Sequence, residues 1–204
     1  MESPDRTRGD AILDSVKATF AAKGFDGASM QDLARDAGMS AGNFYRYFPS
    51  KSALIEALVE REIDCVRVIF DAVIGAGDPL AAFRALVRDR LSEAYADHDQ
   101  IWVEIEAAAI RRPEFRTLIE RMEAELVRNL LAVFARIAGL DEAEAGARFS
   151  GEARLLLVLV QSVHIGCGAR AADPQFAAVV LRTIDQTLAG IAATRRPELH
   201  SLRS

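Results

Sequence analysis

Apolar residues recur along the chain at spacings of three and four, and sustained alternation is absent. That pattern predicts helix after helix and almost no strand. Ile12, Leu13, Val16 and Phe20 mark one face of a first helix, which Gly24 should end as a left-handed residue just past the last turn. Ser29, with Asp32 three positions on, is a capping-box start for a short second helix. Met30, Leu33, Ala34 and Ala37 form its buried side, and Gly38 stops it. Ser40 caps a third short helix, and Pro49–Ser50 closes that one and opens a long fourth helix over about 50–74. Longer helices are predicted near 79–96, 99–111, 114–138, 146–169 and 174–193, punctuated by Asp78–Pro79, Arg112–Pro113, Gly139 and Asp173–Pro174. The expected fold class is therefore all-α, with about nine helices: a three-helix head on residues 1–51 and a larger helical bundle on 52–204, linked by the fourth helix. The first six or so residues and those from Arg196 onward read as frayed ends.

Composition narrows the function classes. Half of the 204 residues are hydrophobic, which supports a packed core and argues against global disorder. The longest apolar string, Leu155 to Val160, is far short of the roughly 20 residues that span a bilayer, and no signal-peptide pattern is evident. A cytoplasmic protein without a membrane partner is the expectation. Cys65 and Cys167 lie far apart among apolar neighbours such as Val66 and Ile165, so inaccessible, reduced thiols are expected rather than a redox pair. Asp97–His98–Asp99 is explained by a helix connection as well as by a metal site, and no metal or other cofactor is expected. No Gly-rich phosphate loop or nucleophile–base pattern stands out, which speaks against an enzyme. Residues 1–51 carry seven basic and seven acidic side chains, so the whole formal charge of −5 lies beyond residue 51. Any contact with nucleic acid must then come from a local patch.

The head supplies such a patch. Two short helices joined by Ala37–Gly38–Met39 form a helix-turn-helix pattern, whose second helix enters a DNA major groove. Phe44 and Phe48, four apart, suit the side facing the other helices, while Ala41 and Gly42 are small enough to let the backbone approach base edges. A glycine within a helix costs on the order of 1 kcal/mol relative to alanine, so Gly42 calls for a reason. Tyr45, Arg46 and Tyr47 project from the other sides; arginine reads guanine edges, and tyrosine hydroxyls suit phosphates. Lys51 opens the fourth helix, where the dipole disfavours a cation unless an anion such as phosphate lies near.

Ala11 to Leu58, "AILDSVKATFAAKGFDGASMQDLARDAGMSAGNFYRYFPSKSALIEAL", resembles the amino-terminal domain of the TetR family of bacterial transcriptional regulators. The shared features are an "AIL…F…KGF" first helix, a Ser-started second helix ending "LA…AG", and "S-x-G-x-x-Y-x-x-F-x-x-K" followed by a leucine. The resemblance implies DNA contacts at Gln31, Ser40, Ala41, Gly42, Asn43, Tyr45, Arg46, Tyr47 and Lys51, with Arg46 at a variable, base-reading position. Asn43–Phe44 replaces the commoner Thr–Leu pair, which leaves the operator sequence open.

For the rest of the chain the resemblance implies a homodimer that binds a double-stranded operator and is released by a small-molecule effector. The last two helices give a reason of their own: Leu155 to Val160 is apolar all round, and the following helix has a broad apolar face. Leu155, Leu159, Val163, Phe176, Val180, Ile184 and Leu188 are the expected dimer residues, the alternative being the core of a monomeric bundle. Candidate ligand-lining residues are Phe83, Leu86, Trp102, Ile105, Ala109, Met122, Gln161 and His164. Gln161 and His164 could orient a ligand's polar group or be internally hydrogen-bonded, and Glu104 and Glu106 could meet a cation or face solvent. The reading is a ligand-responsive dimeric repressor; the competing one is an effector-independent regulator controlled by a protein partner.

Overall fold

A computed structural model describes the backbone of residues 4–92, 100–164 and 174–195, and the side chains of these except at 4–7, 92, 100–104 and 163–164. Every element among the described residues is a helix: α1 (Pro4–Gly27), α2 (Met30–Asp36), α3 (Ala41–Tyr47), α4 (Lys51–Gly75), α5 (Pro79–Ser92), α6 (Gln100–Arg111), α7 (Pro113–Ala138), α8 (Glu142–His164) and α9 (Pro174–Ala193). The all-α architecture follows the predicted order. The predicted stretches 93–96 and 165–169, with Cys167, Asp97–His98–Asp99 and the terminal segments before residue 4 and from Arg196, lie outside the described residues.

Local signals set most boundaries. Gly24 breaks α1 with a φ of 70° and ψ of 164°, after which the chain completes one more turn to Gly27. Ser29 and Asp32 form the reciprocal capping box, Asp32 N–H donating to Ser29 Oγ at 3.0 Å and Ser29 N–H to Asp32 Oδ2 at 3.1 Å. Gly38, at φ 66°, closes α2 in a Schellman motif: its N–H donates to the Arg35 carbonyl at 2.9 Å and the Met39 N–H to the Ala34 carbonyl at 2.9 Å. One start differs from the prediction. α8 begins at Glu142, not near 146, because the Asp141 carboxylate accepts the Glu144 N–H at 2.8 Å and its carbonyl accepts the Ala145 N–H at 3.0 Å.

The helices pack as two compact units, Met1–Cys65 with Asp97–Glu123, and Val66–Ala96 with Ala124–Ser204. The division differs from the boundary drawn at residue 51: it falls inside α4 and inside α7, and it places α6 with the head helices. The core of the first unit shows why. Val16, Phe20, Leu33, Phe44, Leu54, Ile55 and Leu58 are joined there by Ile105, Ala108 and Phe115, all nearly inaccessible. Arg61 ties α4 to α1, donating to the Asp10 carbonyl at 2.9 Å and pairing with Asp14 at 2.9 Å, and Arg121 pairs with Glu60.

The second unit is built around a file of phenylalanines. Phe70 meets Phe83 at 6.0 Å between ring centroids, Phe83 meets Phe134 at 6.4 Å and Phe134 meets Phe149 at 6.3 Å, the last two edge to face. Val180, Ile184, Leu188 and Ile191 of α9 fill the same core, and Arg84 of α5 is paired with Asp185 of α9 at 2.9 Å. Cys65 is exposed, against the expectation of an inaccessible thiol: its apolar neighbour Val66 is next in sequence, but helical geometry turns the two side chains to different sides.

Candidate nucleic-acid interface

The seven residues of α3 divide cleanly by helical phase. Phe44 is fully buried and Phe48, just past the helix, is 9% exposed; their rings lie 6.1 Å apart and pin α3 to the core. Ala41, Gly42, Tyr45 and Arg46 form the exposed side, with Asn43 and Tyr47 half-buried at its margins. Ser40 caps the helix, its Oγ accepting the Asn43 N–H at 3.4 Å. Tyr47 differs from Tyr45: it packs on the core cluster and lies 6.5 Å from the Phe48 ring, whereas Tyr45 is 46% exposed. A Cβ added at Gly42 would meet nothing within 4 Å, so packing inside the chain gives no reason for a glycine there.

On α2, Gln31 and Arg35 face outward over buried Leu33 and Ala34. Most of the charge on this helix is internally matched. Asp32 accepts Arg35 at 2.8 Å and Lys23 at 3.1 Å, and Arg35 also pairs with Asp36 at 3.2 Å. The Ser29 hydroxyl and backbone N–H, then Lys23, hold the Asp32 carboxyl well below the usual carboxylate range. Asp36, and then Asp32, raise the Arg35 guanidinium above its ordinary value. Arg46 stands apart from this network: among the described residues it has neither an ion-pair nor a hydrogen-bond partner.

Lys51 has a different setting from the one its sequence position suggested. Its ammonium donates to the Phe25 carbonyl at 2.9 Å and the Asp26 carbonyl at 3.4 Å, and sits 5.1 Å from the Phe25 ring centroid. The carbonyls at the end of α1 thus offset the unfavourable start of α4. Sequence reasoning missed this corner and the arginines that share it, Arg111 and Arg112, which it had read only as a helix end. The missed partners are remote in sequence, and nothing local marks them.

Residues 12–58 match the model of the bacterial regulatory proteins, tetR family. Residues 12–58, which hold α2 and α3, thus carry a TetR-type DNA-binding helix-turn-helix, and the chain is similar to TetR-family regulators of transcription. It is 26% identical over 155 residues to the HTH-type transcriptional regulator BetI of Serratia proteamaculans, covering 73% of this chain and 77% of that one. It is 42% identical over 59 residues to YvdT, an HTH-type transcriptional regulator of Bacillus subtilis, an alignment that spans 28% of this chain and only 30% of YvdT. Among solved structures, AibR in complex with isovaleryl coenzyme A and operator DNA superposes with a TM-score of 0.60 at 19% identity, over 87% of this chain and 97% of that one. At that identity the likeness is one of fold alone.

The other candidate residues fall in different parts of the chain. Phe83, Leu86 and Gln161 belong to the second unit and Ile105, Ala109 and Met122 to the first, with Ile105 and Ala109 buried in the head core. Trp102 and His164 lie outside the described side chains. Of the expected dimer residues, Val180, Ile184 and Leu188 are at most 2% exposed within the chain's own core, so they cannot meet a partner directly. Leu159 and Phe176 are half-buried against that core, Leu155 is 45% exposed, and Val163 lies outside the described side chains. A shallow groove of about 290 Å³ between α6 and α7 is lined by Glu106, Ala109, Ile110, Arg116, Ile119 and Glu120. Burial, with Glu123 adding repulsion, pushes the Glu106 carboxyl up.

Proposed function

We propose that the chain is a homodimeric repressor that reads a double-stranded operator through α3 and is released by a small-molecule effector. The observation that carries the DNA-reading part is the phase of α3. Two phenylalanines anchor it, and Ala41, Gly42, Tyr45 and an unpartnered Arg46 are left together on its exposed side. Arg46 is assigned to a base edge; Tyr45, with the margin residues Asn43 and Tyr47 and the α2 residue Gln31, to flanking contacts. Ser40 caps the helix and brings its first amides toward the backbone of the duplex.

The dimer face is assigned to the outward side of α8 and α9. Leu155, Val158 and Val179 are between 45% and 59% exposed there, and Ala178, Ala189 and Gly190 are exposed on α9. Small residues among larger apolar ones let helices approach closely, and a two-fold axis would place two copies of α3 at half-sites about 34 Å apart. Release by an effector is supported by the family fold and by a relative of that fold, AibR, solved with both isovaleryl coenzyme A and operator DNA. The effector must differ in affinity for the two states of the repressor to act as a switch.

The test is a fluorescence-anisotropy titration of a duplex selected by the protein from a randomised pool. Arg46→Ala is expected to relax sequence preference at one position of each half-site; unchanged preference would overturn the assignment of α3's reading residue. Sedimentation of Leu155→Arg/Val179→Arg is expected to give monomer, and a persistent dimer would move the interface elsewhere. Duplex affinity with and without candidate effectors, beginning with short-chain acyl coenzyme A thioesters, tests release.

A further inference from the structure

The turn between α6 and α7 grips the end of α1 at the place where Lys51 also grips it. Arg112 pairs with Asp26 at 2.8 Å and Arg111 with the same carboxylate at 3.4 Å. The Arg112 guanidinium carbon lies 4.9 Å from the Phe25 ring centroid and 5.8 Å from that of Phe115. Phe25, 4% exposed, meets Phe115 edge to face at 5.1 Å and Phe20 at 5.5 Å. Three cations, Lys51, Arg111 and Arg112, therefore converge on one carboxylate, two carbonyls and two aromatic rings.

We infer that Asp26 and Arg112 are positioning residues for DNA recognition: they lock the α6–α7 turn to the end of α1, and through Lys51 they fix the exit of α3. The inference rests on the reading of α3 as the DNA-contacting helix. Lys51 follows α3 by the short link Phe48–Pro49–Ser50, so the carbonyls it grips determine where α3 ends and α4 begins. Asp26 is the anion that lets the three cations share this corner. Without it, like charges around Phe25 repel, and the Phe25 and Asp26 carbonyls lose their fixed place under Lys51. The DNA-reading part of the chain is accordingly discontinuous in sequence: it needs Arg112 and Phe115 as much as α1, α2 and α3.

The experiment uses the full chain and the selected duplex, at a temperature where melting curves show every variant folded. Arg112→Gln and Asp26→Asn are each expected to weaken binding about three- to tenfold, in keeping with a partly exposed ion pair reinforced by a cation–π contact. The double variant should lose no more than either single, because the two act as one unit. The slope of log affinity against log salt should match that of the wild type, since no phosphate contact is removed. Wild-type affinity in both singles, losses that multiply, or a shallower salt slope for Arg112→Gln would each overturn the inference, the last by making Arg112 a direct phosphate contact. Amide exchange without DNA gives an independent readout: the Phe48 and Leu54 amides should exchange faster in Arg112→Gln, and unchanged exchange would sink the clamp. Arg46→Ala, run alongside, keeps the two readings apart, since it tests the assignment of α3 without touching this corner.

Discussion

Replacing Gly42 by alanine separates folding from recognition at one atom. Gly42 lies in the first turn of α3 with ordinary helical φ, and an added Cβ would find open space. Alanine there should stabilise the folded chain by about 0.5 to 1 kcal/mol, because glycine loses more backbone freedom on helix formation. For a chain of this size that is a rise in melting temperature of about 1 to 4 °C. Recognition should move the other way. If the glycine is present so that the backbone of α3 can approach base edges, a methyl group at that contact pushes the helix outward. Base contacts made by Arg46 would lengthen with it, and loss of one good base contact is worth about 1 to 3 kcal/mol. The combined expectation is a more stable protein that binds its selected duplex roughly five- to 150-fold more weakly. The salt dependence should be unchanged, because no charge is removed. Differential scanning calorimetry and anisotropy titration on the same preparations give both numbers. Wild-type affinity in Gly42→Ala would refute the close-approach argument, and a lowered melting temperature would refute the reading of open space around the residue.

Other substitutions probe the supports of the interface. Lys51→Met removes two hydrogen bonds from an ammonium to carbonyls and should cost about 1 to 3 kcal/mol in urea unfolding; a change confined to DNA affinity would mean that Lys51 serves the duplex instead of the α1 corner. The Asp32 carboxyl, held below its ordinary value of 3.8 by Ser29 and Lys23, adds stability that is fully present above that value. That contribution fades as pH falls toward the lowered folded value, so Asp32→Asn should flatten the acid limb of a stability–pH curve; an unaltered limb would discount the capping box as its source. Glu106 has the opposite sign: its folded-state carboxyl is raised above 4.5 by burial and by Glu123, so ionising it as pH rises works against folding. Glu106→Gln should therefore stabilise the chain more at about pH 7.5 than at about pH 4, as read from urea midpoints, and a gain independent of pH would point to packing instead of charge.

Local physics carried far in this chain. The helix period placed Phe44 and Phe48 inward and Ala41, Gly42, Tyr45 and Arg46 outward; Gly38 ends α2 and Gly24 breaks α1 before its last turn, both at positive φ. Where a cap was overlooked, as at Asp141, the start of α8 was displaced by a turn. At Lys51 the sequence position suggests a nearby anion, whereas the carbonyls that accept its ammonium, those of Phe25 and Asp26, are supplied by another helix and leave no local mark.

Element type, the caps and the inside of each short helix were determined by residues a turn or less apart, so the sequence by itself contained them. Which apolar face meets which partner was not. An apolar stripe reports that it must be covered and is silent on what covers it, and so Val180, Ile184 and Leu188, expected at a subunit boundary, are buried in the chain's own core. Only the tertiary structure decided that Ile105, Ala108 and Phe115 complete the core of the DNA-reading head. Only there, too, do Asp26, Arg111, Arg112 and Lys51 meet, because ion pairs and ring contacts depend on distance in space and their members are scattered over the chain.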